Sequence, residues 1–226
     1  FSNLSLETLT HFACNPDIED DKGTIDYIEE CANEAQVDTC FLKMEDIGID
    51  EQGRFIDGED RIINTLVKLY PWEWLMEEDF ATHIPTSSVQ FFEPPWKSIL
   101  SNKGLLPLLW GMFEGHPNLL PAFFADDPES SSLIETGNYV RKPLLSRQGA
   151  NIEIVQNNST LFQTDGPYAD KPQILQGFEP LPEFEGKYPL IGCWMVASKA
   201  VGLCIREDNN LVTSKDAKFI PHVILD

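Results

Sequence analysis

Over residues 1–80 the apolar positions alternate between two periods. Thr10–Cys14 reads as a short strand. Ile25, Ile28, Cys31, Ala32 and Ala35 then recur at the three-to-four-residue spacing of one helix face. Val37–Leu42 reads as a strand after that helix, and Gly48–Gly58 (GIDEQGRFIDG) as a turn-rich hairpin around Arg54–Ile56. Ile62–Tyr70 is almost continuously apolar. Periodicity does not separate strand from buried helix there, and its β-branched content favours strand. Strands alternating with a helix predict a small α/β layer over residues 1–82.

Thr82–Ser88 is polar and forms the best candidate boundary, with a second domain over residues 89–226. VQFFEPPW reads as a strand stopped by Pro94 and Pro95, followed by helices over Trp96–Asn102 and Gly104–Phe113. HPNLLPAFF reads as a connector stiffened by Pro117 and Pro121, and Asp126–Ser132 as a surface loop. From Asn138 onward the chain is a series of short strand-like runs: YVRKP, NIEIVQ, STLFQT, QILQGFEPL, YPLIGCWMVASK and AVGLCIRE. The pattern predicts an α/β (α+β) protein without internal repeats.

Composition narrows the function classes. The chain has 226 residues, 42% of them apolar, which supports a core and excludes wholesale disorder. Against 37 Asp+Glu there are 16 Lys+Arg, a net charge of −21, which disfavours nucleic-acid partners and is compatible with a polycationic one. The longest apolar patch, Leu105–Phe113, is broken by Pro107 and Gly111 and is too short to span a membrane. No leader pattern is visible, and the first residue is Phe1. Five cysteines without a C-x-x-C pair predict buried free thiols and a cytoplasmic setting.

Against this acidic background, Gly137–Ile152 (GNYVRKPLLSRQGANI) carries Arg141, Lys142 and Arg147 and no carboxylate. A local anion site and a solvated basic hairpin both account for it. Further on, Gln176 and Glu179 follow an apolar strand, and Arg206 closes another. Two strand-borne cations beside a glycine turn suit a triphosphate, yet neither a P-loop nor a Rossmann glycine pattern occurs. Lys103, at a helix junction, reads first as an ordinary C-terminal charge complement. Asp17, Glu19, Asp20 and Asp21 read first as acids complementing a helix dipole, and second as a cation site. Lys68 and Glu73, the latter between Trp72 and Trp74, fall at a strand end, where α/β sites tend to open.

FFEPPWKSILSNKGLLPLLW, HPNLLPAFF, YVRKPLLSRQGANI, QGFEPLPEFEGKYPLIGCW and IREDNNLVT together resemble the glutathionylspermidine synthase family. They stand in the family's order over nearly the whole chain, and KLYPWEW and EDIG fit upstream. The resemblance implies an ATP-grasp-like domain preceded by a pre-ATP-grasp layer. It also implies a ligase that activates a carboxylate as an acyl phosphate for capture by an amine. By motif, Lys103 and Lys142 become the phosphate lysines, and Gln148-Gly149 the turn that closes over the phosphates. Gln176, Gly177, Phe178 and Glu179 become the hinge beside adenine and ribose. Leu211, Val212 and Thr213 become further nucleotide contacts, and Arg206 the arginine near the reacting phosphate.

The sequence departs from the family in ways that bear on substrate. The family's Mg²⁺ ligands lie in R-x-D-F and E-x-N segments N-terminal to this region. No R-x-D-F occurs and E-x-N is met only far downstream at Glu207–Asn209, so the resemblance implies the C-terminal part of the fold and an incomplete metal site. The family's polyamine-binding acidic pair falls near Glu19, Asp20 and Asp21, where the glutamates are replaced or shifted. Trp74 stands where the family uses a smaller hydroxyl residue for glutathione, and Lys218 reverses the charge of a C-terminal amine contact. None of these 226 residues resembles the amidase domain of bifunctional members, so a synthase-like protein without it is expected. The expected cofactors are ATP and Mg²⁺, and the expected partners are small carboxylate and amine substrates. The competing readings are a non-catalytic ATP- or polyamine-binding module and an acidic structural protein.

Overall fold

The computed structural model describes residue 1 and residues 9–224. It divides into two compact units, Phe1–Ile99 and Leu100–Asp226. In chain order the first contains β1 (Thr10–Cys14), α1 (Glu19–Glu34), β2 (Thr39–Lys43), β3 (Gly48–Ile49), β4 (Phe55–Ile56), β5 (Thr65–Leu69), α2 (Trp72–Leu75) and β6 (Gln90–Phe92). Four of these strands form a parallel sheet in the order β2-β1-β5-β6.

Parallel sheets are covered on both faces, and β1 shows the consequence. Every residue of Thr10–Cys14 is buried. Phe12 and Cys14 join Ile25 and Ala32 of α1 in one core cluster. Ala13 joins a second, built from Phe55, Ile63, Trp72, Leu75 and Ile84. Helix α1 has no side-chain cap; Glu19, Asp20 and Asp21 lie in its first turn, where carboxylates meet the positive end of the dipole. Residues 82–88, read from sequence as polar and linking, lie within this unit, and Asp79–Thr86 is a 3-10 helix. The strand expected in VQFFEPPW is β6, which pairs with β5 at the sheet edge.

Next come α3 (Ser98–Ser101), α4 (Leu105–Met112), β7 (Ala122–Phe124), α5 (Ser130–Glu135), β8 (Tyr139–Pro143), β9 (Glu153–Gln156), β10 (Ser159–Gln163), β11 (Gln173–Gly177), β12 (Tyr188–Val196), β13 (Lys199–Asp208) and β14 (Lys218–Ile220). The second unit holds two antiparallel sheets, β10-β9-β8-β11-β7 and β12-β13-β14.

Three local expectations change. HPNLLPAFF ends in a strand, β7, whose pairing with β11 comes from tertiary contact and leaves no alternation in three residues. The serines read as loop begin α5, with the Ser131 and Ser132 hydroxyls bonding back to the Pro128 and Glu129 carbonyls. The cysteines are free, but only Cys14 is buried: Cys193 is exposed, and Cys31, Cys40 and Cys204 are half-buried. No helix among the described residues is long and apolar enough to cross a membrane.

Candidate functional site

The site builds on one face of the five-stranded sheet. Alternation along β8 puts Val140 and Lys142 on the same side, with Tyr139 and Arg141 on the other. In register, Val140 stands opposite Ile154 of β9 and Gln176 of β11. Val140, Ile152 and Ile154 form a small buried cluster, against which Phe162, Phe178, Leu211 and Val212 pack. The three cations of the basic stretch are therefore not equivalent. Arg141 pairs at 3.4 Å with Glu153, directly across from it on the opposite face, whereas Lys142 lies on the side of the apolar cluster.

Lys142 Nζ donates to Gln176 Oε1 at 2.7 Å. Burial, and secondarily the charge of Lys103, bring its pKa down from 10.5 to about 8. Lys103 lies just before α4, and its ammonium reaches Ser146, 43 residues on, bonding the carbonyl at 2.6 Å and the hydroxyl at 3.0 Å. Its backbone N–H also donates to the Leu144 carbonyl at 2.9 Å. Lys103 therefore anchors the loop that leaves β8. Two ammonium groups held close enough to depress one of them make an anion-seeking pair.

That loop contains Gln148-Gly149. Both have positive φ, 52° and 75°, and Asn151 follows at 53°. A Cβ on Gly149 would stand 2.8 Å from Val212 Cγ1 and 2.9 Å from the Thr213 carbonyl oxygen, so the turn and the 209–214 segment meet through a missing side chain. Thr164 pins the loop from below. Its hydroxyl donates to the Gly149 carbonyl at 2.6 Å and accepts the Ile152 N–H at 2.9 Å.

After Gln176 the chain leaves the sheet through Gly177, whose N–H donates to the Pro121 carbonyl at 2.8 Å. Phe178 packs on the apolar cluster, and Glu179 is exposed. Arg206 of β13 donates from Nη2 to the Ser214 carbonyl at 2.8 Å and lies 5.7 Å from the Phe219 ring centre. Its Nε is buried with no hydrogen-bond partner among the described residues. Leu211–Thr213 lie between Arg206 and Ser214 in the chain, so the bond to Ser214 ties the expected phosphate arginine on β13 to the turn that carries the expected nucleotide contacts. Sequence reasoning missed Ser146, Thr164, Asp208 and Ser214, which hold these groups in place. Of these, only the D-x-N pattern at Asp208 carries a local turn signal.

Glu19, Asp20, Asp21 and Trp74 belong to the first unit. Glu19 and Asp20 are exposed, and Thr24 Oγ1 donates to the Asp20 carbonyl at 2.8 Å. The half-buried Trp74 meets Tyr70 edge-on, with ring centres 5.6 Å apart. Burial and a 2.7 Å hydrogen bond to Glu78 push the Tyr70 hydroxyl up to about 12. Lys68 is buried, donates to the Tyr70 carbonyl at 2.7 Å and lies 3.9 Å from the Trp72 ring centre.

Metal-ligand donors converge elsewhere in that unit. His11 Nε2, Cys40 Sγ and an Asp57 carboxylate oxygen lie within 4.8 Å of one another. The Arg61 guanidinium already bridges this group, donating to Asp57 Oδ2 at 2.7 Å and to Cys40 Sγ at 3.2 Å. His11 Nε2–H donates to the same Asp57 oxygen at 3.0 Å. The set is closed around a cation of the chain's own, and its mixed N, S and O donors are not the all-oxygen set that Mg²⁺ takes. Burial tends to raise the Asp57 pKa, but the hydrogen bonds from Arg61, His11 and two backbone N–H groups hold it far below the carboxylate range.

Comparison with known proteins places the chain in a family. The glutathionylspermidine synthase preATP-grasp family matches residues 1–225. A Haemophilus influenzae protein named as an acid–amine ligase is 42% identical over 212 residues, covering 90% of this chain and 53% of that protein. The bifunctional glutathionylspermidine synthetase/amidase of Escherichia coli is 30% identical over 240 residues, 95% of this chain and 38% of that protein. The chain thus spans about half or less of these relatives' length. Among solved structures, the ATP-grasp ligase PsnB complexed with minimal precursor superposes with a TM-score of 0.55 at 12% identity, over 98% of this chain and 78% of that one. An ATP-grasp RimK domain protein from Sphaerobacter thermophilus gives 0.55 at 10% identity, over 87% and 72%. These two likenesses show an ATP-grasp fold. With the family matched from end to end, the chain belongs to the glutathionylspermidine synthase pre-ATP-grasp family.

Proposed function

We propose that this chain holds ATP in a carbon–nitrogen ligase that activates a small-molecule carboxylate for attack by an amine. The observation that carries the reading is the Lys103–Lys142 pair, set beside an apolar sheet face and a positive-φ glycine turn. The adenine lies at the edge of the apolar cluster of Val140 and Ile154, beside Leu211 and Val212, which pack on it. Gln176 gives up its bond from Lys142 as the ammonium turns to the phosphates. The buried, unpartnered Nε of Arg206 is a donor that a phosphate oxygen satisfies. A carboxylate oxygen then attacks the terminal phosphorus and ADP leaves. The amine nitrogen attacks the acyl phosphate carbonyl, phosphate departs, and an amide remains.

Magnesium, when bound, would supply positive charge that offsets the charge of the phosphates. The buried carboxylate of this unit, Asp208, has both oxygens engaged, so no step is assigned to a metal on these residues. That engagement favours a second reading, a nucleotide-binding module without turnover. Calorimetry with ATP, with and without Mg²⁺, is the test. Binding that strengthens with Mg²⁺, together with ADP release requiring both an acid and an amine, supports the ligase. Binding indifferent to Mg²⁺ supports the module. No ATP binding by the folded chain rules out both.

A further inference from the structure

Asp208 ends β13 as a buried carboxylate that the reaction does not use. Its Oδ1 accepts from the Asn210 N–H at 3.1 Å and from Asn210 Nδ2 at 3.2 Å. Its Oδ2 accepts from the Ser214 N–H at 2.9 Å and from the Ser214 hydroxyl at 2.7 Å. Burial alone would raise the Asp208 pKa, yet the donors at Ser214 and Asn210 outweigh it and hold the carboxyl below its usual range. Four hydrogen bonds on one carboxylate close residues 209–214 into a fixed turn.

Three contacts depend on that turn. Leu211 and Val212 pack on the Val140, Ile152 and Ile154 cluster. Val212 and Thr213 fill the space beside Gly149. The Ser214 carbonyl holds Arg206. A turn lacking its central acceptor would leave the two apolar side chains on a flexible nine-residue connection, residues 209–217, between β13 and β14.

We propose that Asp208 is a positioning residue for the nucleobase: by ordering the 209–214 turn, it holds Leu211 and Val212 on the β8–β9 face as a fixed apolar edge for the base. It touches no part of the nucleotide and acts wholly through the turn. The proposal rests on the nucleotide reading above, and its prediction is a split between base and phosphate recognition.

The experiment titrates the full chain with ATP and, separately, with inorganic tripolyphosphate, which carries the charge without the base. Asp208→Ala should weaken ATP about tenfold or more and tripolyphosphate by distinctly less, because Arg206 keeps its place on β13 between β12 and β14 when Ser214 moves, whereas Leu211 and Val212 lose theirs. Asp208→Asn keeps an acceptor for Asn210 and should recover part of the ATP affinity. Hydrogen exchange should speed up in residues 209–214 and stay slow in β8 and β9. ATP affinity unchanged in Asp208→Ala overturns the proposal, as does an equal loss for both ligands with faster exchange throughout the sheet. A folded wild-type chain that binds neither ligand overturns the nucleotide reading itself.

Discussion

Lys142 and Gln176 stand on neighbouring strands of one sheet face, and the buried ammonium of the first donates to the amide oxygen of the second at 2.7 Å. A neutral acceptor only partly offsets the desolvation of that charge, as the fall of the Lys142 pKa to about 8 shows. An anion does so more fully. Lys142→Met is therefore expected to weaken ATP binding by about ten- to a hundredfold, the equivalent of one charge-assisted hydrogen bond. The thermal midpoint should hold or rise, since a buried cation is removed. Calorimetry and a melting curve on the same sample check this; unchanged affinity would remove Lys142 from the site.

The depressed pKa of Lys142 also fixes the direction of a pH effect. Between about 8 and its ordinary value of 10.5 the folded state binds fewer protons at this group than the unfolded state. Its contribution to stability therefore grows as pH rises through that window. Nucleotide binding runs the other way, because the phosphate needs the ammonium. ATP affinity is expected to fall above about pH 8, approaching about tenfold per unit, with about one proton taken up on binding. Titrations at about pH 7 and about pH 9, in buffers of different ionisation enthalpy, measure the uptake directly. A flat profile would sink the assignment.

Gly149→Ala adds a Cβ 2.8 Å from Val212 Cγ1 in a residue with φ of 75°. Strain and clash together should cost about 1–3 kcal/mol in urea unfolding and lower ATP affinity as the turn shifts. Gly186→Ala is the matched control. It has φ of 79° and nothing within 4 Å of its Cβ position, so only the backbone preference, about 1 kcal/mol, is lost. Equal effects at the two sites would mean that the Gly149–Val212 approach carries no weight.

Asp57→Ala should be the most destabilising single change in the first unit. It leaves the buried His11 ring without its acceptor and the part-exposed Arg61 guanidinium without its partner, and the unsatisfied buried donor alone costs about 1–3 kcal/mol. Because its folded pKa is depressed, Asp57 contributes stability above its ordinary value of 3.8 and loses it as pH falls below that value. Urea midpoints of wild type and Asp57→Ala should therefore differ widely at neutral pH and converge in acid. A constant difference across that range would contradict the linkage.

What could be read from the chain beforehand follows the range of the interactions. YVRKP alternates, so β8 and the placement of Lys142 and Arg141 on opposite faces were local information. Gln176 and Arg206 were legible because each ends a strong apolar run. Ser146 was not, since its partner Lys103 lies 43 residues away and a serine in a loop has many roles. Strand β7 escaped for the same reason: three residues become a strand only through β11. The cluster of His11, Cys40, Asp57 and Arg61 draws on three separate segments, and no spacing rule joins them.

The two cations that make the site attractive at contact distance sit in a chain of net charge −21. A polyphosphate approaching from solution meets the repulsive field of the whole molecule before it meets Lys103 or Lys142. Dissolved salt shortens that field to about 10 Å at 0.1 M and about 3 Å at 1 M, while it screens the half-buried pair less. Added salt should therefore speed the arrival of an anionic ligand here, the reverse of its effect on proteins that steer anions with positive surfaces.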